Sequence, residues 1–309
     1  MSSIVSLNLP AQITVFERGW LSSNNVLICG ESQSALIDSG YCTHAEQTLS
    51  LVEHALAGRP LDVLVNTHLH SDHCGGNHVL QTAYPKLHTA IPPGLADAVS
   101  LWDPIKLTYA PTGQQCPPFA YTSLLKAHST LQLGDLDWQV HAAPGHDTHS
   151  VILFEPESKT LISADALWEN GFGVVFPELE GEQAFQEVAD TLDLIETLQP
   201  AIVIPGHGRV FNDAEKALGV ARSRLKNFAD NPIKHASYAG KVLLKYKLLE
   251  LHRTTRQDLE TWACQTSYFT ALHARFFSNS NLSTWLEQLI QDLVRSGAAR
   301  QEGAYIADA

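Results

Sequence analysis

The segment Thr67–Gly76 reads T-H-L-H-S-D-H-C-G-G and places three histidines and an aspartate within six residues. It follows an apolar run (Leu61, Val63, Leu64, Val65) with the signature of a buried strand. Side chains two apart on a strand share a side, so the strand reading lets His68 and His70 converge on one point. Asp72 and His73 fall past the strand end, where a turn can bring them towards a second point. Neutral imidazole and carboxylate together suit Zn²⁺, Fe²⁺ or Mn²⁺. The motif supplies two half-built metal points, and the fold has to bring the missing donors to them.

Later segments carry such donors, each at a strand end followed by a turn. His146 lies in A-P-G-H-D-T-H-S, Asp165 in L-I-S-A-D-A-L, and His207 in I-V-I-P-G-H-G. Asp38, followed by Ser39-Gly40, ends a strand in the same way. Glycines beside these positions let the backbone approach an ion without a Cβ clash. Taken singly, Asp38 and Asp165 read as turn caps and His146 and His207 as loop histidines. Their coincidence at successive strand ends points to a shared site.

Short strands are expected at Ile13–Glu17, Asn25–Cys29 and Ser34–Asp38, then a helix at His44–Ala57 closed by Gly58 and Pro60. A strand at Leu61–Asn66, a helix near Asn77–Ala83 and a strand at Lys86–Ile91 continue the alternation, which argues for an α/β architecture. Pro92–Leu125 breaks the rhythm with six prolines and reads as a functional loop or a surface insertion. Strands follow at Thr130–Leu133, Leu136–Ala142, Ser150–Phe154, Thr160–Ser163 and Ala201–Ile204, with helices at Glu182–Leu198 and Ala214–Asp230. Beyond Asn231-Pro232 the chain turns helical and more basic, ending in a small hairpin at Arg300–Ile306. A boundary within 220–232 divides it into a catalytic domain, 1–225, and a helical C-terminal domain, 226–309.

At 309 residues there is ample material for a core. No run is long and apolar enough to span a bilayer, and Met1–Pro10 lacks the basic and apolar regions of a secretory signal. Five cysteines without paired spacing fit free thiols in a reducing cytoplasm. The formal net charge of −13 disfavours nucleic acid as a partner.

The full set, Asp38, H-L-H-S-D-H at 68–73, His146, Asp165 and His207, resembles the metallo-β-lactamase superfamily over about residues 11–215. The H-x-H-x-D-H form is more similar to glyoxalase II, lactonases and persulfide dioxygenases than to β-lactam hydrolases with cysteine ligands. The resemblance implies a four-layer αββα sandwich with the site at one edge of two mixed sheets. It implies one metal held by His68, His70 and His146, a second by Asp72, His73 and His207, and Asp165 bridging both. Asp38 would then steady the ligand loops by hydrogen bonds. Cys74 is left as a small buried residue. The tail resembles a small winged-helix-like domain.

By this resemblance the chain is expected to be a hydrolase with two divalent ions, Zn²⁺ expected and Fe or Mn as alternatives, acting on a small ester, thioester or lactone, and the cysteine pattern adds the expectation of a cytoplasmic setting. A metal-bridging hydroxide would attack, with Asp72 orienting it and moving a proton. Trp168, Asn170 and Phe172, just after the bridging ligand, are read as pocket walls, and His149 as a strand-start residue. The alternatives are a mononuclear iron persulfide dioxygenase using His68, His146 and Asp165, and a metal-dependent ribonuclease. A small molecule is the expected partner, with no membrane and a homodimer allowed. Recognition of glutathione calls for a cluster of Lys, Arg and Tyr in the tail; Lys241, Lys245, Tyr246 and Lys247 are the candidates, though they do not reproduce the glyoxalase II pattern.

Overall fold

The computed structural model describes residues 9–309, so most of the N-terminal segment read above lies outside the described residues. The first half comprises β1 (Ile13–Phe16), β2 (Asn25–Cys29), β3 (Ser34–Ile37), α1 (Ala45–Leu56), β4 (Val63–Val65), α2 (Ser71–Cys74), α3 (Asn77–Ala83), β5 (His88–Ile91), α4 (Ala96–Leu101), α5 (Tyr109–Thr112) and β6 (Ser123–Leu124). Its strands form one sheet in sequence order, antiparallel from β1 to β3 and parallel from β3 to β6.

The second half comprises β7 (Thr130–Leu133), β8 (Leu136–Ala142), β9 (Val151–Glu155), β10 (Thr160–Ala164), α6 (Phe176–Glu180), α7 (Ala184–Leu198), β11 (Ile202–Pro205) and α8 (Ala214–Asp230). Its sheet has the order β11-β10-β9-β8-β7, with β10 and β11 parallel.

Period-two alternation decides how the layers stack. Val26, Ile28, Ala35, Ile37 and Val65 face the other sheet, where they meet Val140, Leu153, Ile162 and Ile204. Their neighbours Leu27, Leu36 and Leu64 face the opposite way, against Val52 and Leu56 of α1 and Leu80 of α3. On the outer face of the second sheet, Ile152, Phe154, Leu161 and Val203 pack on Val188, Leu192 and Ile195 of α7 and Ala217, Leu218 and Ala221 of α8. The result is an αββα sandwich.

The expected junction at 225/226 falls inside α8; the helix break comes at Asn231, whose side chain accepts the Lys234 N–H and starts the next helix. The tail consists of α9 (Pro232–Leu251), β12 (Arg253–Thr255), α10 (Arg256–Gln265), α11 (Ser267–Phe276), α12 (Leu282–Arg295), β13 (Ala299–Glu302) and β14 (Tyr305–Asp308). Its three strands pair in the order β12-β14-β13. Its core is continuous with the first part: Val174 and Leu179 belong to the same apolar cluster as Leu243, Phe269, Leu286 and Ile290. No described helix is long and apolar enough to cross a membrane.

The segment 92–125 is more ordered than its sequence suggests. It packs Val99, Leu107, Tyr109 and Phe119 against Leu69 and Cys74. The Tyr109 hydroxyl donates to Leu69 O at 2.9 Å, so the segment supports the histidine motif from behind.

Candidate metal centre

Strand ends deliver the donors to one edge of the sandwich. β3 leads to Asp38, β4 to the histidine motif, β10 to Asp165 and β11 to His207, while His146 lies in the turn between β8 and β9. β4 stops at Val65, so His68 and His70 lie in an irregular segment and strand alternation does not align them. Hydrogen bonds do. The Thr67 N–H donates to Asp38 Oδ1 and its hydroxyl to Asp38 Oδ2, both at 2.8 Å, and the Val151 N–H donates to Thr67 O at 2.9 Å. Asp38 has φ 58°, a region that short Asx side chains visit more readily than most. Ala164, just before Asp165, is also left-handed at φ 46°, where an alanine is strained.

The first set of donors is His68, His70 and His146. His70 Nδ1 lies 3.1 Å from His68 Nε2 and 2.9 Å from His146 Nε2. Ligand nitrogens on one tetrahedral Zn²⁺ stand about 3.3 Å apart, given metal–nitrogen bonds of about 2.0–2.1 Å. The outer ring nitrogens are engaged elsewhere: His146 Nδ1 donates to Val174 O at 2.6 Å, and His68 Nδ1 lies 3.2 Å from the Thr67 hydroxyl. These contacts assign the tautomers that turn the Nε2 lone pairs inward.

The second set is Asp72, His73 and His207. His73 Nδ1 donates to Asp38 Oδ2 at 2.7 Å, which turns Nε2 towards Asp165 Oδ1 at 3.4 Å. That Nε2 is buried with no hydrogen-bond partner among the described residues. His207 Nε2 faces Asp72 Oδ2 at 3.1 Å and Asp165 Oδ1 at 3.9 Å. Asp165 spans the two sets, with Oδ2 3.4 Å from His146 Nε2 and Oδ1 3.4 Å from His73 Nε2.

Two glycines leave the room that this convergence needs. A Cβ on Gly206 would stand 2.2 Å from Asp165 Oδ1, and one on Gly173 would stand 2.3 Å from His146 Nδ1. Three groupings have donor atoms within 4.8 Å of one another: His68/His70/His146, His68/His73/Asp165 and Asp72/His73/His207. An orphaned inward nitrogen, converging lone pairs and a shared carboxylate fit divalent metal.

The electrostatics agree. Burial, with His73 and His70 beside it, holds His68 well below the usual imidazole range. Burial and His70 lower His146 to about 4. Burial opposes charge on His73, but Asp38 and Asp165 outweigh it and raise that imidazole well above its usual value. Burial also opposes ionisation of Asp165, and His207 and His73 reverse the balance, holding it well below the carboxylate range. Asp72 is lowered in the same way, burial being outweighed by its hydrogen bond to His207. Ionised Asp72 and Asp165 and neutral His68 and His146 are the donor forms that bind metal, whereas His73 would bind by giving up its Nε2 proton.

The donors floor a cleft of about 770 Å³, counting its open mouth, walled by Trp20, Trp168, Val174, Phe176, Leu243, Tyr246 and Tyr268. Of the three expected wall residues only Trp168 lines this cleft. Phe172 is 1% exposed and packs against Phe228 in the core, next to a small void behind His146 and Asp165. Asn170 is exposed, with its carbonyl taken by Arg224. The cause is a tight reversal: Trp168 and Gly171 pair backbone to backbone, with Gly171 at φ +120°, and this turns Phe172 inward. Phe176 takes the wall position instead.

Trp168 does more than line the wall, since its indole N–H donates to Asp165 Oδ1 at 3.2 Å. Trp20, which sequence reasoning missed, is 54% exposed and stacks on His207 at 5.4 Å. A tryptophan in a mostly polar stretch, residues 17–25, was the signal the sequence offered. The Cys74 thiol faces the Tyr109 hydroxyl and Cys116 rather than the donors, and the His149 ring packs on Gly94.

Comparisons with known proteins agree with this geometry. The model of the metallo-beta-lactamase superfamily matches residues 18–207. The acyl-coenzyme A thioesterase MBLAC2 of Gallus gallus is 26% identical over 247 residues, covering 73% of this chain and 84% of that protein. A hydroxyacylglutathione hydrolase of Synechococcus is 26% identical over 225 residues, covering 73% and 77%. A beta-lactamase domain protein from Burkholderia ambifaria superposes with a TM-score of 0.59 over 98% of this chain and 94% of its own, at 16% identity, which speaks for the fold. The chain belongs to the metallo-beta-lactamase superfamily.

Proposed function

We propose that this member of the metallo-beta-lactamase superfamily hydrolyses small acyl thioesters, with esters and lactones as its wider substrate class. The observation that carries the reading is the pair of donor sets sharing Asp165 at the floor of an apolar cleft. The relatives named as a thioesterase and as a hydroxyacylglutathione hydrolase support the thioester within that class.

His68, His70 and His146 would hold one divalent ion and Asp72, His73 and His207 the other, with Asp165 between them. Bound there, such ions supply a polarised carbonyl and a water acidified to near neutral pH. The remaining work belongs to side chains. Asp72 Oδ2, kept ionised by His207, is placed to orient the attacking water and accept its proton. Asp38 holds His73 in one tautomer, and Val174 O does the same for His146. Val174, Phe176 and Leu243 take the acyl group and keep bulk water from the reacting carbonyl. The five unpaired cysteines support a reducing, cytoplasmic setting.

The test is one hydrolysis panel of thioesters, aryl esters, lactones and phosphodiesters, with metal content measured on the same sample. We expect two metal equivalents per chain and thioester cleavage that is lost on chelation and restored by Zn²⁺. One iron per chain with oxygen uptake and no hydrolysis would overturn the reading in favour of dioxygenase chemistry. Phosphodiester cleavage with salt-dependent RNA binding would overturn it in favour of a nuclease.

A further inference from the structure

We propose that Tyr268 and the apolar wall around it select an uncharged acyl group that carries one hydrogen-bond-accepting oxygen away from its reacting carbonyl. The inference rests on the hydrolase reading above and names the group that its cleft takes.

The far wall of the cleft is built by the tail. Tyr238, Val242, Leu243 and Tyr246 come from α9 and Tyr268 from α11. Phe176 leads from the donors to this wall: its ring meets His70 edge-on at 5.5 Å on one side and Tyr268 edge-on at 5.5 Å on the other. An acyl chain leaving the reacting carbonyl therefore runs along Phe176 and reaches Tyr268.

Tyr268 is 7% exposed, lines the cleft, and has a buried hydroxyl with no hydrogen-bond partner among the described residues. Buried hydroxyls are nearly always paired, so an unpaired one on a cavity wall marks the place of a ligand atom. The neighbouring Tyr246 hydroxyl differs, having Ser71 Oγ at 3.4 Å. Burial pushes the Tyr268 phenol well above its usual pKa, so it remains a neutral donor. Its partner is then an acceptor oxygen such as a hydroxyl, ketone or ether.

Charge sets the second half of the inference. Among the described residues no lysine or arginine lines the cleft, and Glu180 is the one carboxylate on its walls apart from the donor floor. Of the basic residues named as candidates for an anionic substrate, Lys241 does not line the cleft, and Lys245 and Lys247 are engaged elsewhere. Lys245 donates to Ala298 O at 2.6 Å and pairs with Asp308. Lys247 pairs with Glu250 at 2.8 Å and lies over Trp262. Arg275, on the helix of Tyr268, donates to Leu179 O at 3.2 Å. A carboxylate-tailed acyl group would enter this cleft without a counter-charge and meet Glu180.

The experiment uses thioesters of N-acetylcysteamine, a small neutral leaving group. The acyl groups are octanoyl, a series of octanoyl chains with a hydroxyl or keto oxygen moved along the chain, and an octanoyl chain ending in carboxylate. The full chain should prefer one oxygenated isomer over plain octanoyl by about tenfold in kcat/KM, as expected for a site whose buried polar group is left unpaired by the plain chain. The carboxylate-tailed chain should be the poorest substrate. In Tyr268→Phe, with an unchanged thermal midpoint, the ratio of oxygenated to plain substrate should collapse to near one. A ratio that survives the substitution, or a carboxylate-tailed chain as best substrate, overturns the inference.

If no thioester is cleaved at all, the hydrolase reading fails while the subsite can still be judged. Quenching of Trp20 and Trp168 fluorescence by 2-octanone in the metal-free protein, weakened about tenfold by Tyr268→Phe, then supports the subsite. Equal quenching of the two proteins overturns it.

Discussion

Asp38 Oδ2 accepts the Nδ1 proton of His73 at 2.7 Å, while Oδ1 of the same carboxylate takes the Thr67 backbone N–H at 2.8 Å. One side chain thus orients a donor histidine and anchors the loop that carries two more. Asp38→Asn keeps an acceptor for the Thr67 N–H but puts an NH2 donor where Oδ2 takes the His73 Nδ1 proton, so that imidazole loses its acceptor. Metal affinity or activity should fall by about 10–100-fold, the usual cost of losing such a partner. Chelator competition and metal analysis read the effect, and an unchanged far-UV spectrum separates it from misfolding.

The space at Gly206 is as specific as the donors themselves. A methyl there would meet Asp165 Oδ1 at 2.2 Å and the His73 ring at 3.0 Å, contacts that a rigid strand end cannot absorb. Gly206→Ala should therefore displace the shared carboxylate, lower metal content towards one ion per chain and reduce kcat by at least about tenfold. Full occupancy with wild-type turnover would show that Asp165 does not join the two sets.

Trp168 touches the same oxygen from the cleft side. Trp168→Phe retains a ring against Trp20 and His207 but loses the indole N–H that donates to Asp165 Oδ1. A kcat loss of about tenfold, with a smaller change in KM, is expected from a partner that orients a ligand. A change in KM alone would reduce Trp168 to a wall residue.

His235 offers a pH-dependent prediction away from the donors. It is 1% exposed, accepts the Val175 N–H through Nε2 at 3.3 Å, and packs on Phe228 and Phe185. Burial, with Arg224 adding to it, lowers its pKa to about 4. Because the folded value lies below the unfolded 6.5, its contribution to stability is full above that value and drains as the pH falls towards 4. Between about pH 7.5 and pH 5 the stability advantage of wild type over His235→Gln should shrink by about 2 kcal/mol. Urea unfolding of the metal-free proteins at the two pH values checks this, since other groups cancel in the difference. A constant difference would mean that His235 does not link α9 to residue 175 in its neutral form.

Much of the scaffold was legible because local periodicity and local packing agree. The strands Thr130–Leu133 and Leu136–Ala142 and the helices Asn77–Ala83 and Ala214–Asp230 end where turn and cap residues say they should. The donors were legible for a different reason: histidines and aspartates at successive strand ends have few other uses. The segment 92–125 was not, because its short helices are held by Leu69 and Cys74 rather than by their own periodicity. Phe172 and Phe176 could not be told apart either. A single backbone pairing between Trp168 and Gly171 decides which of them faces the cleft.

By itself the sequence determined the chemistry available to this protein, because donor type and the order of strands and turns are written locally. Tertiary structure decided what the chemistry can be applied to. His68 and His70 meet through an anchored loop rather than a strand, and Trp20 lies on His207 across most of the first part's length. Tyr268 lines the cleft above the donors only because α11 packs beside α6 and Phe176, more than ninety residues earlier. Such contacts depend on which side chains fill one shared core, and no stretch of the chain encodes that alone.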